Sequence, residues 1–134
     1  MIPEEHYDNL QKSAPKVAEN INAITEQTFR ILLTEHPELK VLFQGAKADM
    51  PRQFGFAVVA LTTFIDRPEK MKTYAEKFKA MYPDATQEQF ELIFDALLKG
   101  MKQALDRKAP PKAINAWNAA LTHLNQDYLH SQPV

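Results

Sequence analysis

The sequence predicts an all-α fold. Only three glycines punctuate the 134 residues, and the apolar-polar alternation of a half-buried strand is missing throughout. Apolar residues instead recur at spacings of three and four in every part of the chain, the signature of amphipathic helices. A chain of this length is expected to form one domain around one core. With 45% hydrophobic and 25% charged residues, and no apolar run near the roughly 18 residues of a membrane span, the composition is that of a globular protein without a membrane partner.

The elements follow in order. Tyr7, Leu10, Ala14, Val17, Ile21, Ile24, Thr28 and Ile31 lie on one apolar stripe of helical chain. Pro15 interrupts the stripe, and its missing N–H predicts a kink there. His36-Pro37 should end this stretch, because the residue before a proline is pushed out of the α region; a short helical turn carrying Leu39, Leu42 and Phe43 follows. "PRQFGFAVVALTTFI", residues 51–65, is apolar on nearly every side, as expected of a central helix sandwiched between others. Asp49 is placed to cap it and Pro51 falls in its first turn. Gly55 inside it costs roughly 1 kcal/mol relative to alanine, which points to close approach by a neighbouring backbone.

"MKTYAEKFKAMYPDATQEQF", residues 71–90, reads as a helix, a turn at Tyr82-Pro83 and the start of a second helix, with Met71, Tyr74, Phe78 and Met81 facing inward. Thr86 and Gln89 make a capping box before the run Phe90, Ile93, Phe94, Leu97, Leu98, Met101 and Leu105. Glu91, Asp95 and Lys99 mark the wet side of that helix. "RKAPPK" breaks the chain, and the last helix carries Ile114, Trp117, Leu121, Leu124 and Tyr128 inward. No repeat, low-complexity segment or long linker divides residues 1–134.

Charge and chemistry narrow the function. The formal charge is −1 with both signs interspersed, which argues against a phosphate-binding surface; the lysines at 70, 72, 77 and 79 read as a solvated helix face, and no nucleic acid is expected. Zero cysteines exclude disulfides and thiolate chemistry and fit a cytoplasmic home. The acidic start, "MIPEEHYDNL", does not read as a signal peptide. Of the four histidines, His6 and His130 lie near the chain ends. His36 sits at a helix junction in a capping or surface role. His123 stands roughly 130° from the centre of its apolar stripe, on an exposed flank. No pair at i, i+4, no calcium loop and no glycine-rich phosphate cradle occurs, and Ser13 has no base near it in sequence. An enzyme is not expected.

A kinked first helix, "TFRILLTEHPELKVLF", the buried helix with Gln53 near its start, and "INAWNAAL" in the last helix together resemble bacterial single-domain globins, of the Vitreoscilla haemoglobin and flavohaemoglobin type. The resemblance covers about residues 5–129 and implies a globin-like fold of six to eight helices. It implies a haem pocket lined by Phe29, Phe43, Gln53, Ala57, Phe78, Met81, Tyr82, Phe90 and Leu121. Phe43 matches the family's phenylalanine on the haem and Gln53 its distal glutamine. Phe29 falls where the family has a distal tyrosine. Phe78, or Ala80 with the gap placed otherwise, falls where it has the proximal histidine, and Phe90 and Leu121 match proximal-side tyrosines. No conventional histidine ligand to a metal is therefore implied.

A pocket of roughly 300 Å³ left empty would cost about 7 kcal/mol, comparable with the stability of a whole domain, so it must be filled. Phe29, Phe54 or Phe56, Phe78 and Phe90 are large enough to help collapse it. The first expectation is a haem-free, non-enzymatic globin acting as a sensor or protein-interaction module. The second keeps haem on a non-histidine ligand, Tyr82, Met81 or Tyr74, as a gas-binding or redox globin. A third fills the pocket with another apolar small molecule. A helix-mediated homodimer is expected by analogy with Vitreoscilla-type relatives.

Overall fold

A computed structural model describes the backbone of residues 3–43, 50–82 and 85–129, with all their side chains except those of Leu42, Phe43, Met50, Pro51, Phe54, Phe56 and Met81. The expected roles of Phe43, Asp49, Phe54, Phe56, Met81 and His130 therefore fall outside the described side chains. Among the described residues the chain is helical, with six α-helices: α1 (Glu4–Glu19), α2 (Ile21–Glu35), α3 (Met50–Phe64), α4 (Pro68–Met81), α5 (Gln87–Leu105) and α6 (Pro111–His123). A 3-10 segment, Pro37–Phe43, follows α2, a shorter one, Asp106–Lys108, follows α5, and a π-helical segment, Leu124–Leu129, continues α6. None of these helices is long and apolar enough to cross a membrane.

The kink expected at Pro15 falls inside a continuous helix. Pro15 lies inside α1, and the helix ends at Asn20, whose φ of −108° and ψ of 16° leave the helical region. One missing donor is tolerated because α1 is held along its length. Trp117 Nε1 donates to Ser13 Oγ at 2.8 Å, and Gln11 Nε2 donates to the Thr62 carbonyl. Ser13 Oγ in turn donates to the Asn9 carbonyl at 2.8 Å. The chain's first serine is thus a structural bolt joining α1 to α6, not a nucleophile. His36 ends α2 as expected, its N–H bonded to the Leu32 carbonyl at 2.7 Å.

The centre of the molecule is the crossing of α2 over α5, flanked by α1 on α6 and by α3 against α1, α2 and α4. Gly100 of α5 makes the crossing close. A Cβ there would stand 3.0 Å from the Ile24 carbonyl oxygen and the Thr28 nitrogen and would collide with Thr28 Oγ1. Thr28 has already turned that hydroxyl back onto the Ile24 carbonyl, at 2.7 Å. The expectation for Gly55 is corrected: among the described residues nothing lies within 4 Å of its Cβ position, so none of their backbones approaches it. The central helix α3 is also less enclosed than its composition suggests, because Val59 is 56% exposed and leaves one flank open.

The capping box at Thr86 forms in full. Gln89 N donates to Thr86 Oγ1 at 3.1 Å and Thr86 N donates to Gln89 Oε1 at 2.9 Å, so two of the orphan donors of the helix start are satisfied reciprocally. The run that follows is buried as read, with Leu98 half-buried.

The end of the chain departs from simple periodicity. After His123 the backbone widens into the π segment, which advances the inward face by a fraction of a turn. Asn125 and Leu129 are buried there, and Tyr128, expected inward, is only half-buried. The same turn covers His123. The Asp127 carboxylate closes over its Nδ1 and Tyr128 meets its ring edge-on at 5.3 Å, leaving the side chain 12% exposed. His123 is therefore a covered residue rather than an exposed flank.

Candidate functional site

Aromatic rings of α4 and α5 converge on Phe78. It lies in the last turns of α4, 1% exposed, because Met71, Ala75 and Phe78 repeat at helical spacing on the buried face while Lys72, Lys77 and Lys79 remain in water. Its ring centroid is 5.8 Å from that of Phe90 and 6.1 Å from that of Phe94, both on α5, and 5.6 Å from that of Tyr82 just past the end of α4. Tyr74, one turn earlier on α4, is 6.3 Å away. Phe90 and Phe94 are themselves 6.0 Å apart. Contacts at these offset and tilted geometries add to the burial of the rings themselves.

The polar groups are equally specific. Tyr82, 3% exposed, donates its hydroxyl to Gln53 Oε1 on α3. Ala57, one turn on from Gln53, is buried on the same helix. The Tyr74 hydroxyl is buried, with no hydrogen-bond partner among the described residues. Burial raises the pKa of both phenols, and at Tyr74 the neighbouring Tyr82 raises it further. Both stay protonated near neutrality.

This raised pKa predicts an alkaline limit to stability. A group whose folded pKa lies above its unfolded value contributes fully below the unfolded value, about 10 for tyrosine, and loses that contribution as pH climbs through the folded one. Unfolding by urea should show stability falling above about pH 10, with tyrosinate absorbance appearing on unfolding. Tyr82→Phe should flatten that limb. Near neutrality the same variant should cost about 1–2 kcal/mol, because Gln53 Oε1 is left without its donor.

Of the residues predicted to line a pocket, the structure brings together Gln53, Phe78, Tyr82 and Phe90. Phe29 is half-buried and borders an open groove of about 500 Å³ along α2, with Thr25 and Leu33. Leu121 is buried beside Phe94 in a cavity between α5 and α6. Phe94 was not singled out as a site residue. Its signal was available in the four-residue step from Phe90, which puts both on one face of α5.

Distal and proximal positions are the test of fit for a haem. The globin resemblance would set Gln53 on the distal side and Phe78 on the proximal one, with a haem plane between them. Here Gln53 is hydrogen-bonded directly to Tyr82 at the end of the proximal helix, and Phe78 is surrounded by aromatic rings. Among the described residues, Gln53 and the end of α4 are thus joined directly. Among the described residues no group of three histidine, aspartate or glutamate side chains is placed to hold a metal ion.

Helix order, the central crossing and the placing of Gln53 opposite the end of α4 define a globin-like fold. A bacterial globin of Campylobacter jejuni superposes with a TM-score of 0.80 over 95% of this chain and 94% of that one, at 19% identity. In sequence the chain is similar to an uncharacterized globin-like protein of Aquifex aeolicus, 25% identical over 141 aligned positions that span 99% of this chain and all of that one. It is likewise similar to the flavohemoprotein of Rhizobium meliloti, 27% identical over 131 positions. That match takes 92% of this chain and 32% of the flavohemoprotein, so the chain spans about a third of that relative's length. No family model matches.

Proposed function

We propose that this chain is a haem-free globin-fold domain, not an enzyme, that acts in the cytoplasm as a sensor or protein-interaction module. The hydrogen bond from Tyr82 to Gln53 carries this reading, since it joins the two faces between which a haem would sit. The Phe78, Phe90 and Phe94 rings supply the bulk that a prosthetic group would otherwise provide. Exposed Val41 and Val59, at 63% and 56%, leave apolar surface for a partner. Expression with excess haemin should yield a colourless, folded and monodisperse protein. A stoichiometric Soret band would overturn the proposal. The homodimer stays part of it, and sedimentation at two concentrations tests it.

One observation favours a second reading. The buried Tyr74 hydroxyl has no partner among the described residues, and a tyrosine is a known axial ligand to haem iron; the flavohemoprotein relative carries haem in its name. Against it, a ligating tyrosinate must ionise, and burial opposes ionisation at both Tyr74 and Tyr82. Loss of a wild-type Soret band in Tyr74→Phe or Tyr82→Phe would make this the correct reading.

A further inference from the structure

The end of α6 can continue in two registers. The stripe Ile114, Trp117, Leu121, Leu124 and Tyr128 runs at spacings of three and four, so an α-helical end would turn Tyr128 inward. At about 100° per residue it would set Leu129 roughly 100° and Asn125 roughly 60° off the centre of that stripe. The structure takes the other register. Leu124–Leu129 is π-helical, Asn125 and Leu129 are 2% and 1% exposed, and Tyr128 is half-buried with its ring 5.3 Å from that of His123. An i→i+5 turn brings residues five apart onto nearly one face, which is why Leu129 joins Leu124 and Tyr128 joins His123.

The two registers oppose different gains. Hydrogen-bond geometry is poorer in the π turn than in an α-helix. The π turn also buries the whole Asn125 amide: Nδ2 donates to the Gln87 carbonyl at 3.2 Å, and Oδ1, closed to solvent, has no donor among the described residues. An α-helical end would carry that amide to the flank of the stripe, where water can satisfy it. What holds the π register is the burial of Leu129, where the segment packs on α4, α5 and α6. An α-helical end gives up that leucine and buries the Tyr128 ring in its place.

We infer that Leu124–Leu129 is a register switch, π-helical in this state and α-helical in a second, in which Tyr128 turns inward and leaves the His123 ring. The switch acts on α4. Tyr128 and Leu129 form one wall of a groove of about 490 Å³ whose other wall includes Lys72, Glu76 and Lys79 of α4, so exchanging one side chain for the other repacks the helix that carries Phe78. Anything that fills the groove in one register only shifts the balance by its differential affinity for the two. The inference stands independently of whether haem binds.

Backbone amide relaxation dispersion on the full chain, with the His123 ring protons as reporters of the Tyr128 ring current, tests it. Exchange is expected at residues 123–129 and at the α4 positions that face them. Leu129→Ala removes the burial that holds the π register, worth about thirtyfold or more for a core leucine, so the α register should become the major state and the His123 protons should lose their ring-current shift. Deletion of Gln126, exposed in the π turn, lets Leu129 reach the inward position in α geometry, so that variant should stay folded and its exchange should vanish. A folded Leu129→Ala whose His123 protons have not moved overturns the inference, whatever the wild-type exchange shows. Exchange that survives the deletion undiminished, or loss of the fold on deletion, does so too. If Leu129→Ala unfolds, the absence of exchange in the wild type overturns it.

Discussion

Phe78→His is expected to leave the protein colourless in excess haemin and less stable by about 3 kcal/mol. The substitution puts an imidazole at the position that the globin resemblance assigns to the proximal ligand. In the structure that position is the hub of a ring cluster, with Phe90, Phe94 and Tyr82 all within 6.1 Å between centroids. Truncating a buried phenylalanine costs roughly 3–5 kcal/mol, and histidine returns part of that volume. It adds a buried polar ring without a partner, at about 1–3 kcal/mol. Urea unfolding and visible absorbance of the same sample read both effects. If the site were a haem pocket lacking only its ligand, the variant would instead show a sharp Soret band and gain stability from the bound group.

The glycine pair should respond in opposite directions. Gly100→Ala forces a methyl group against the Ile24 carbonyl and the Thr28 nitrogen, both backbone atoms of α2 that cannot rotate away. The two helices must separate at their closest crossing, and overpacking of this kind costs about 1–3 kcal/mol; the upper end is expected because α2 and α5 form the principal contact of the fold. Gly55→Ala meets nothing within 4 Å among the described residues. It should stabilise the protein by about 0.5–1 kcal/mol through better helix propensity and a less flexible unfolded chain. Thermal unfolding of the two variants side by side checks the contrast. Similar destabilisation by both would mean that α3 carries a close approach at Gly55 as well.

Much of the fold was legible in the residues. The stripes of α4 and α5, the helix end at His36 and the capping box at Thr86 are local features, encoded within one or two turns, and each is present in the structure. The candidate site was half legible. Phe78 and Phe90 were expected inside and are inside. The pairing of Tyr82 with Gln53 spans 29 residues, and no local pattern could announce it.

The sequence by itself determined the all-α class, the inward faces of α5 and α6 and the absence of histidine from residues 71–90, because periodicity and side-chain chemistry act along the chain. Tertiary structure decided which glycine lies at a helix crossing, since Gly55 and Gly100 look alike until a second backbone is brought near one of them. It decided that the first helix ends at Asn20 and that Gln11 and Ser13 tie α1 to α3 and α6. It also decided that His123 is covered and Asn125 buried. Both follow from the switch to π geometry after His123, which shifts every later side chain off the 3.6-residue face that the sequence implies and is set by packing against α4, α5 and α6.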